Sequence, residues 1–218
     1  MIAENINKIL EKLPSGVKLV AVSKFHPAEN IMQAYNAGQR LFGESRAQEF
    51  IEKVKVLPND IKWHFIGHLQ TNKLKLVLPY VELVHSVDSL RLLENIDNWG
   101  KDNNRTTNVL LELRVAKEVT KQGLSQDEIL DILKHSSDFG NICFKGLMGM
   151  ATNTDDIDVI KGEFNTIASF KSKIKLKFPD LTNFNELSLG MSGDYKLALE
   201  YGTTIVRIGT AIFGPRNY

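Results

Sequence analysis

The sequence has little of what would assign it to several large classes of protein. It contains one cysteine, Cys143, which excludes an internal disulfide framework and any zinc site built from several cysteines. No apolar run approaches the roughly 18 residues that a membrane-spanning helix needs. The start, Met1–Asn5, lacks the basic-then-apolar order of a secretory signal peptide. We therefore expect a cytoplasmic protein that does not enter a membrane.

Charge of neither sign is in excess. Lysine and arginine total 27, aspartate and glutamate 26, and the net charge is +1 at pH 7. Such a chain has no overall field to attract nucleic acid or an anionic membrane. Glycine-rich nucleotide-binding fingerprints are missing, and the five histidines are scattered without an H-E-x-x-H pattern. We expect neither nucleic acid nor a metal ion as a ligand.

What the sequence does contain is a regular alternation of short apolar runs with segments of helical period. Alternation of this kind predicts parallel strands joined by right-handed helical crossovers. Eight units in about 200 residues suit a closed (β/α)8 TIM barrel, and a doubly wound open sheet is the alternative. We predict one domain, residues 1–218, with an extra helix over Ile2–Leu13. The predicted strands are Val17–Ser23, Arg40–Phe42, Lys62–Phe65, Val81–His85, Thr107–Leu113, Asn141–Leu147, Phe184–Ser188 and Thr203–Ile208.

Several helix starts have recognisable capping residues. Ser45–Gln48 and Ser125–Glu128 both match the capping-box pattern, in which a serine precedes a Gln or Glu by three residues. Further helix starts are predicted at Asp88, at Asp155 or Asp156, and at Ser192.

The first strand ends in a lysine, Lys24. In a (β/α)8 barrel the chemistry lies at the carboxyl ends of the strands. A lysine that emerges from a buried strand is partly desolvated, which lowers its pKa and favours the free amine that a Schiff base needs. The alternative is a lysine whose stem covers the barrel rim while its ammonium group reaches water.

Small residues follow the last two predicted strands. Ser192 and Gly193 come after the seventh, and Gly209 and Thr210 come after the eighth. These two loops are the frequent phosphate-binding site of this fold. Helix capping by Ser192 and a turn at Gly209 are compatible with that role. Together with Lys24, these residues predict a covalently held phosphorylated aldehyde, of which pyridoxal phosphate is the obvious example.

Two further positions are ambiguous. His64 is predicted to face the barrel interior, either as a cofactor-binding residue or as a hydrogen-bonded core histidine. We include it among the candidate cofactor-binding residues. Cys143 sits in an apolar run and is interpreted as a core residue.

From about residue 17 to 218 the chain resembles the pyridoxal phosphate homeostasis protein family, single-domain relatives of the barrel domain of alanine racemase. The motifs that carry the resemblance are Val20–Lys24, Phe42–Glu44, Trp63–Lys73, Gly146–Met148, Leu187–Ser192 and Val206–Gly214.

The resemblance implies a barrel that binds pyridoxal phosphate as an internal aldimine on Lys24. By position, Ser192, Gly209 and Thr210 would hold the phosphate, and Arg207 would face the pyridine nitrogen. The family is regarded as a carrier or buffer of the cofactor in vitamin B6 homeostasis, without an established catalytic activity. Its implied partners are apo-enzymes that depend on pyridoxal phosphate.

Three positions need separate mention. The family often has asparagine where this chain has Ser45, and an acidic residue where it has Gly193. The second difference removes a charge beside the predicted phosphate. Lys121 matches a lysine–glycine element of the family and is expected to have a secondary role at most.

The alternative is an amino-acid racemase or a related enzyme. An arginine partner such as Arg207 stays protonated, which makes the cofactor ring a weaker electron sink than a carboxylate partner would. A two-base racemase also needs a second base, which in alanine racemase comes from a C-terminal domain, whereas this sequence ends at Tyr218. For the same reason we expect a monomer. A third hypothesis is a phosphate-binding barrel in which Lys24 is only a point charge.

Overall fold

Eight parallel strands form a closed barrel in which each strand pairs with the next along the chain, as seen in a computed structural model that describes residues 1–115 and 122–215. The first and last strands close the ring, with Ala21 opposite Ile208. The predicted closed (β/α)8 barrel is therefore confirmed, and the open sheet is wrong. The strands are β1 (Lys18–Val22), β2 (Leu41–Glu44), β3 (Lys62–Phe65), β4 (Val81–Val87), β5 (Thr107–Glu112), β6 (Ile142–Met148), β7 (Glu186–Ser188) and β8 (Ile205–Ile208).

Helices surround the barrel. The extra helix before β1 is present and ends at Leu10. No helix within the described ranges is long and apolar enough to cross a membrane. The helices are α1 (Ile2–Leu10), α2 (Ala28–Asn36), α3 (Ala47–Val56), α4 (Leu74–Val77), α5 (Leu90–Asp102), α6 (Gln126–Lys134), α7 (Ile157–Lys177), α8 (Tyr195–Glu200) and α9 (Thr210–Phe213), with 3-10 turns at Thr71–Lys73 and Ser136–Asp138.

The hydrophobic core has two parts, because successive residues of a strand point to opposite faces. The larger part lies between the strands and the helices, where Phe42, Phe50 and Phe164 are fully buried. The smaller part fills the barrel itself and includes Leu83 and Ile205. The barrel interior is therefore a packed core with polar groups at its two ends.

Two of the predicted helix starts are confirmed. Ser125 and Glu128 form the complete capping box of α6, with both reciprocal hydrogen bonds. Asp156 caps α7 by accepting hydrogen bonds from Asp158 and Val159. Lys121 lies outside the described residues.

Three predicted starts are wrong. Helix α3 has Arg46 as its N-cap without a side-chain cap bond, and the Ser45 backbone instead packs against Gly67, where a Cβ would lie 2.2 Å from the Ser45 oxygen. Ser89, not Asp88, caps α5. The cap of α8 is Asp194, because the Ser192 hydroxyl accepts a hydrogen bond from Ala211 instead. For Ser45 and Ser192, a contact with a neighbouring loop takes precedence over the local capping pattern.

Candidate functional site

Lys24 leaves β1 at the carboxyl end of the barrel and is half-buried. The next residue, Phe25, has a φ of +67°, a left-handed conformation that a bulky residue rarely adopts. Its N–H donates to Glu49 Oε1 at 2.6 Å, and the Arg46 guanidinium lies 4.4 Å from the centre of its ring. These contacts hold the unusual backbone and so fix the direction in which the chain leaves β1 at Lys24.

A buried ionic network supports this loop. Lys53 Nζ donates to Glu44 Oε1 at 2.7 Å, to Glu49 Oε1 at 2.7 Å and to the Ser23 carbonyl at 2.8 Å. The Ser23 hydroxyl also donates to Glu44 Oε1, at 2.6 Å. Burial raises the pKa of Glu44 to about 7, although the Lys53 charge favours the ionised form. The network ties the ends of β1 and β2 to α3 and includes Ser23, the residue before Lys24.

The turn after β8 lies against the end of β1. A Cβ on Gly209 would lie 3.1 Å from the Val22 carbonyl oxygen, so glycine allows this close approach. Thr210 begins α9 and is exposed. The Ser192 hydroxyl accepts from the Ala211 N–H at 3.3 Å, which joins the loop after β7 to the turn after β8. The structure thus brings Ser192, Gly209 and Thr210 together beside the end of β1.

Arg207 lies inside the barrel and is only 4% exposed. Its Nη1 donates to the Ser188 carbonyl at 2.8 Å and to the Ser188 hydroxyl at 2.5 Å, and its Nη2 donates to the Gly149 carbonyl at 3.0 Å. Burial lowers the pKa of Arg207 to about 10, so the guanidinium remains charged at neutral pH. Three hydrogen bonds therefore fix this cation inside the barrel, beside the carboxyl ends of β6 and β7.

Sequence reasoning missed an acidic residue near this cation. Glu112 ends β5 and is buried. Burial raises its pKa to about 7, the charge of Asp88 adds to that rise, and the charge of Arg207 opposes it. The sequence does contain a signal for Glu112. The apolar run Val109–Leu111 ends in this glutamate, in the same way that the first strand ends near Lys24.

His64 is placed differently from the other candidates. Its Nδ1 lies 2.8 Å from His85 Nε2, and His85 Nδ1 lies 3.0 Å from the Ser188 hydroxyl. Burial lowers the pKa of His64 to about 3 and also lowers the pKa of His85, so both imidazoles are neutral. His64 thus reaches Arg207 only through His85 and Ser188, and a direct contact with a cofactor stays a prediction. No sequence pattern predicted the roles of His85 and Ser188.

Cys143 is half-buried on β6. Among residues 1–115 and 122–215, no group of three or more histidine, cysteine, aspartate and glutamate side chains is arranged to hold a metal ion.

Comparison with known proteins agrees with this architecture. Residues 1–217 match the family described as alanine racemase, N-terminal domain. A protein of Vibrio alginolyticus named pyridoxal phosphate homeostasis protein is 37% identical over 212 residues, which cover 95% of this chain and 90% of the relative. The structure of PipY from Synechococcus elongatus without pyridoxal phosphate is 35% identical, with a TM-score of 0.93 over 98% of this chain and 100% of PipY. PipY with pyridoxal phosphate bound is 34% identical, with a TM-score of 0.91 and the same coverage. The chain therefore belongs to the alanine racemase N-terminal domain family and, within it, to the pyridoxal phosphate homeostasis proteins.

Proposed function

We propose that this protein binds pyridoxal 5'-phosphate and serves in vitamin B6 homeostasis as a carrier or buffer, acting as a monomer in the cytoplasm. Family membership supports the proposal, as does the related PipY structure with the cofactor bound. The observation that carries it is the position of the Gly209 turn, which packs so closely on the end of β1 that a Cβ on Gly209 would lie 3.1 Å from the carbonyl oxygen of Val22, two residues before Lys24. The loop that carries Lys24 and a turn of small residues therefore lie at the same end of the barrel, which supports the proposal.

The residues present fit the three functional groups of the cofactor. We assign the aldehyde to Lys24, whose Nζ forms a Schiff base with the aldehyde carbon and releases one water molecule. Ser192, Gly209 and Thr210 hold the phosphate, since small residues at a helix start let a phosphate approach the backbone N–H groups. Arg207 faces the pyridine nitrogen. When bound, pyridoxal phosphate supplies an electrophilic carbon that can be passed to another amine.

A carrier role suits the charge of Arg207. Its pKa of about 10 keeps it protonated at neutral pH, so it donates a hydrogen bond to the ring nitrogen without transferring a proton. An unprotonated ring withdraws electrons weakly, which disfavours amino-acid chemistry on the bound cofactor. Release then needs only water or the lysine amine of an apo-enzyme, and we propose such apo-enzymes as the recipients.

Borohydride trapping tests the assignment of Lys24. The wild type, Lys24→Ala and Lys12→Ala are incubated with pyridoxal phosphate, reduced, digested and mapped by mass spectrometry. We expect one pyridoxyl adduct, on the peptide that contains Lys24, in the wild type and in Lys12→Ala, where an exposed lysine is removed. The adduct should be lost in Lys24→Ala.

The same experiment can refute the proposal. Adducts of equal yield on many surface lysines, or no adduct, would contradict the proposal. Either result would favour the hypothesis of a phosphate-binding barrel in which Lys24 is only a point charge. Transfer to a purified apo-enzyme, followed by the recovery of its activity, tests the carrier role separately. Racemisation of chiral amino acids by the loaded protein at a rate typical of enzymes would favour the catalytic alternative.

A further inference from the structure

A cavity of about 400 Å³ lies at the other end of the barrel, among the amino ends of the strands. Lys18 and Lys62, the first residues of β1 and β3, line its wall, and Lys145 of β6 joins them. Asn108, Asn183 and Asn185 add side-chain amides. Its volume falls within the range of about 300–1,000 Å³ that is usual for small-molecule sites. The wall is therefore rich in hydrogen-bond donors, and three of them carry positive charge.

The charges around the cavity favour an anion. Lys18 forms a salt bridge with Glu186, whereas neither Lys62 nor Lys145 forms an ion pair within the described chain. Glu82 and Glu186 are the acidic residues of the lining. Two more lysines lie at the rim, since Lys171 donates to the Asn185 carbonyl and Lys175 donates to its side-chain oxygen at 2.9 Å. The positive charges outnumber the negative ones here, although the whole chain is nearly neutral.

The floor of the cavity carries a buried histidine, His64, which is 2% exposed. The direction of its hydrogen bonds follows from Arg207, because a guanidinium can only donate. Arg207 Nη1 donates to the Ser188 hydroxyl, and Ser188 is fully buried. The acceptor for the Ser188 hydroxyl proton is then His85 Nδ1, at 3.0 Å.

The donor and acceptor of each remaining hydrogen bond, as far as the cavity, follow in the same way. With Nδ1 accepting, neutral His85 carries its proton on Nε2 and donates to His64 Nδ1 at 2.8 Å. Neutral His64 then carries its own proton on Nε2, the ring nitrogen that His85 does not use. The opposite order would leave the buried Ser188 proton without an acceptor, which is costly. The chain of hydrogen bonds therefore ends in an N–H donor on the residue that forms the cavity floor.

We propose that this amino-end cavity binds a small multivalent anion that carries phosphate or carboxylate groups. His64 Nε2–H and the ammonium groups of Lys62 and Lys145 are its principal donors. Apolar Leu83 and Ile205 complete the floor and limit access of water to the His64 bond, which strengthens a charge-assisted hydrogen bond. The site lies at the opposite end of the barrel from the proposed cofactor site and contains none of the residues assigned there to the aldehyde, the phosphate or the ring nitrogen.

Titration of the full chain tests the proposal, with pyrophosphate and citrate as probes. Calorimetry measures affinity, and nitrogen NMR of histidine-labelled protein reports His64 directly. We expect saturable binding of at least one probe, a resonance that identifies His64 as the Nε2–H tautomer, and a shift of that resonance on binding. Lys62→Met should weaken binding about tenfold, because it removes one charge-assisted contact. Lys173→Met, which removes an exposed charge on α7 outside the cavity, should leave the affinity unchanged.

Two further variants keep the test independent of the proposed cofactor site and of folding. Ser192→Ala/Thr210→Val removes the two hydroxyls of the phosphate loop at the opposite end, and we expect it to bind the probe as the wild type does. His64→Asn keeps an acceptor near Nδ1 but lacks the Nε2–H donor, so it should stay folded by circular dichroism and bind more weakly.

Three results would overturn the proposal: no saturable binding of either probe, equal weakening by Lys62→Met and Lys173→Met, or loss of binding in Ser192→Ala/Thr210→Val. The last result would mean that the anion binds at the cofactor end of the barrel. Failure of the borohydride experiment at Lys24 would leave this test unaffected, because the residues that bind the probe here are not those assigned to the aldehyde, the phosphate or the ring nitrogen of the cofactor.

Discussion

Glu44 shows how the surroundings of one residue set the chemistry of its neighbourhood. Its side chain is fully buried, and its Oε1 accepts hydrogen bonds from Lys53 and Ser23. The other oxygen, Oε2, has no hydrogen-bond partner among the described residues. A buried carboxylate with one unpaired oxygen is costly in its charged form, and this cost outweighs the attraction of Lys53. The Glu44 carboxyl group therefore ionises only near neutral pH.

This carboxyl group predicts a pH-dependent stability. The folded protein binds the Glu44 proton more tightly than the unfolded chain, since burial raises the pKa from 4.5 to about 7. The resulting stabilisation is complete below pH 4.5 and is lost as the pH rises through 7. Glu44→Gln keeps the oxygen that accepts both hydrogen bonds and has no proton to lose. Relative to the wild type, it should gain up to about 3 kcal/mol of unfolding free energy between pH 4.5 and 8.

Urea denaturation at a series of pH values measures this gain. Glu52→Gln is the matched control, because Glu52 is exposed on α3, the helix that the buried network joins to β2, and its substitution should give a difference that is flat with pH. A difference between Glu44→Gln and the wild type that is equally flat would show that Glu44 ionises normally in the folded protein.

At the scale of the elements, all of the strands were predictable, whereas only some of the helix starts were. All eight predicted strands are present, because apolar runs buried on both faces dictate strands whatever surrounds them. Capping depends on whether a side chain is free to bond to the first turn of its own helix. Ser125 makes this bond, whereas the backbone of Ser45 packs on Gly67 and the hydroxyl of Ser192 accepts a hydrogen bond from Ala211.

The two serine patterns give a paired prediction. Ser125→Ala removes a capping box that is formed, and we expect a loss of about 1 kcal/mol of unfolding free energy. Ser45→Ala changes the same sequence pattern where no cap bond exists, and its effect should be within about 0.5 kcal/mol. Equilibrium denaturation of both variants decides the matter. Equal losses would mean that the Ser45 hydroxyl does cap α3 in solution.

Some residues of the candidate site could be predicted from the sequence and others could not. Lys24, Gly209 and Thr210 follow predicted strands, so the topology alone placed them at one end of the barrel. The roles of Lys53 and Ser188 could not be predicted from the sequence. Lys53 lies in the middle of α3 and enters the network only because that helix packs across the ends of β1 and β2. Ser188 gains its role from Arg207 on the next strand.

The whole molecule depends on the closure of the ring, and the seam with the shortest strand pairing is the one between β7 and β8. Only Ser188 and Ile205 pair directly in the register between these strands. The Thr203 hydroxyl strengthens the seam. It accepts from the Leu189 N–H at 3.1 Å and lies within hydrogen-bonding distance of the carbonyls of Leu187, at 2.9 Å, and Ile205, at 3.0 Å. The loops that carry Ser192 and Thr210 leave the barrel on either side of this seam, so the proposed phosphate site depends on it.

Thr203→Val should therefore weaken the seam and the phosphate site together. The substitution keeps the shape of the side chain and removes a buried hydroxyl, with an expected loss of about 1–3 kcal/mol of unfolding free energy. Hydrogen exchange should show the Leu189 and Arg207 amides opening before those of β4 and β5, and affinity for pyridoxal phosphate should fall. Thr166→Val, on the exposed face of α7, is the control and should change none of these three quantities. If the seam amides of Thr203→Val stay as protected as those of β4 and β5, ring closure is held by the packed interior, and the loops that carry Ser192 and Thr210 are positioned without the Thr203 hydroxyl.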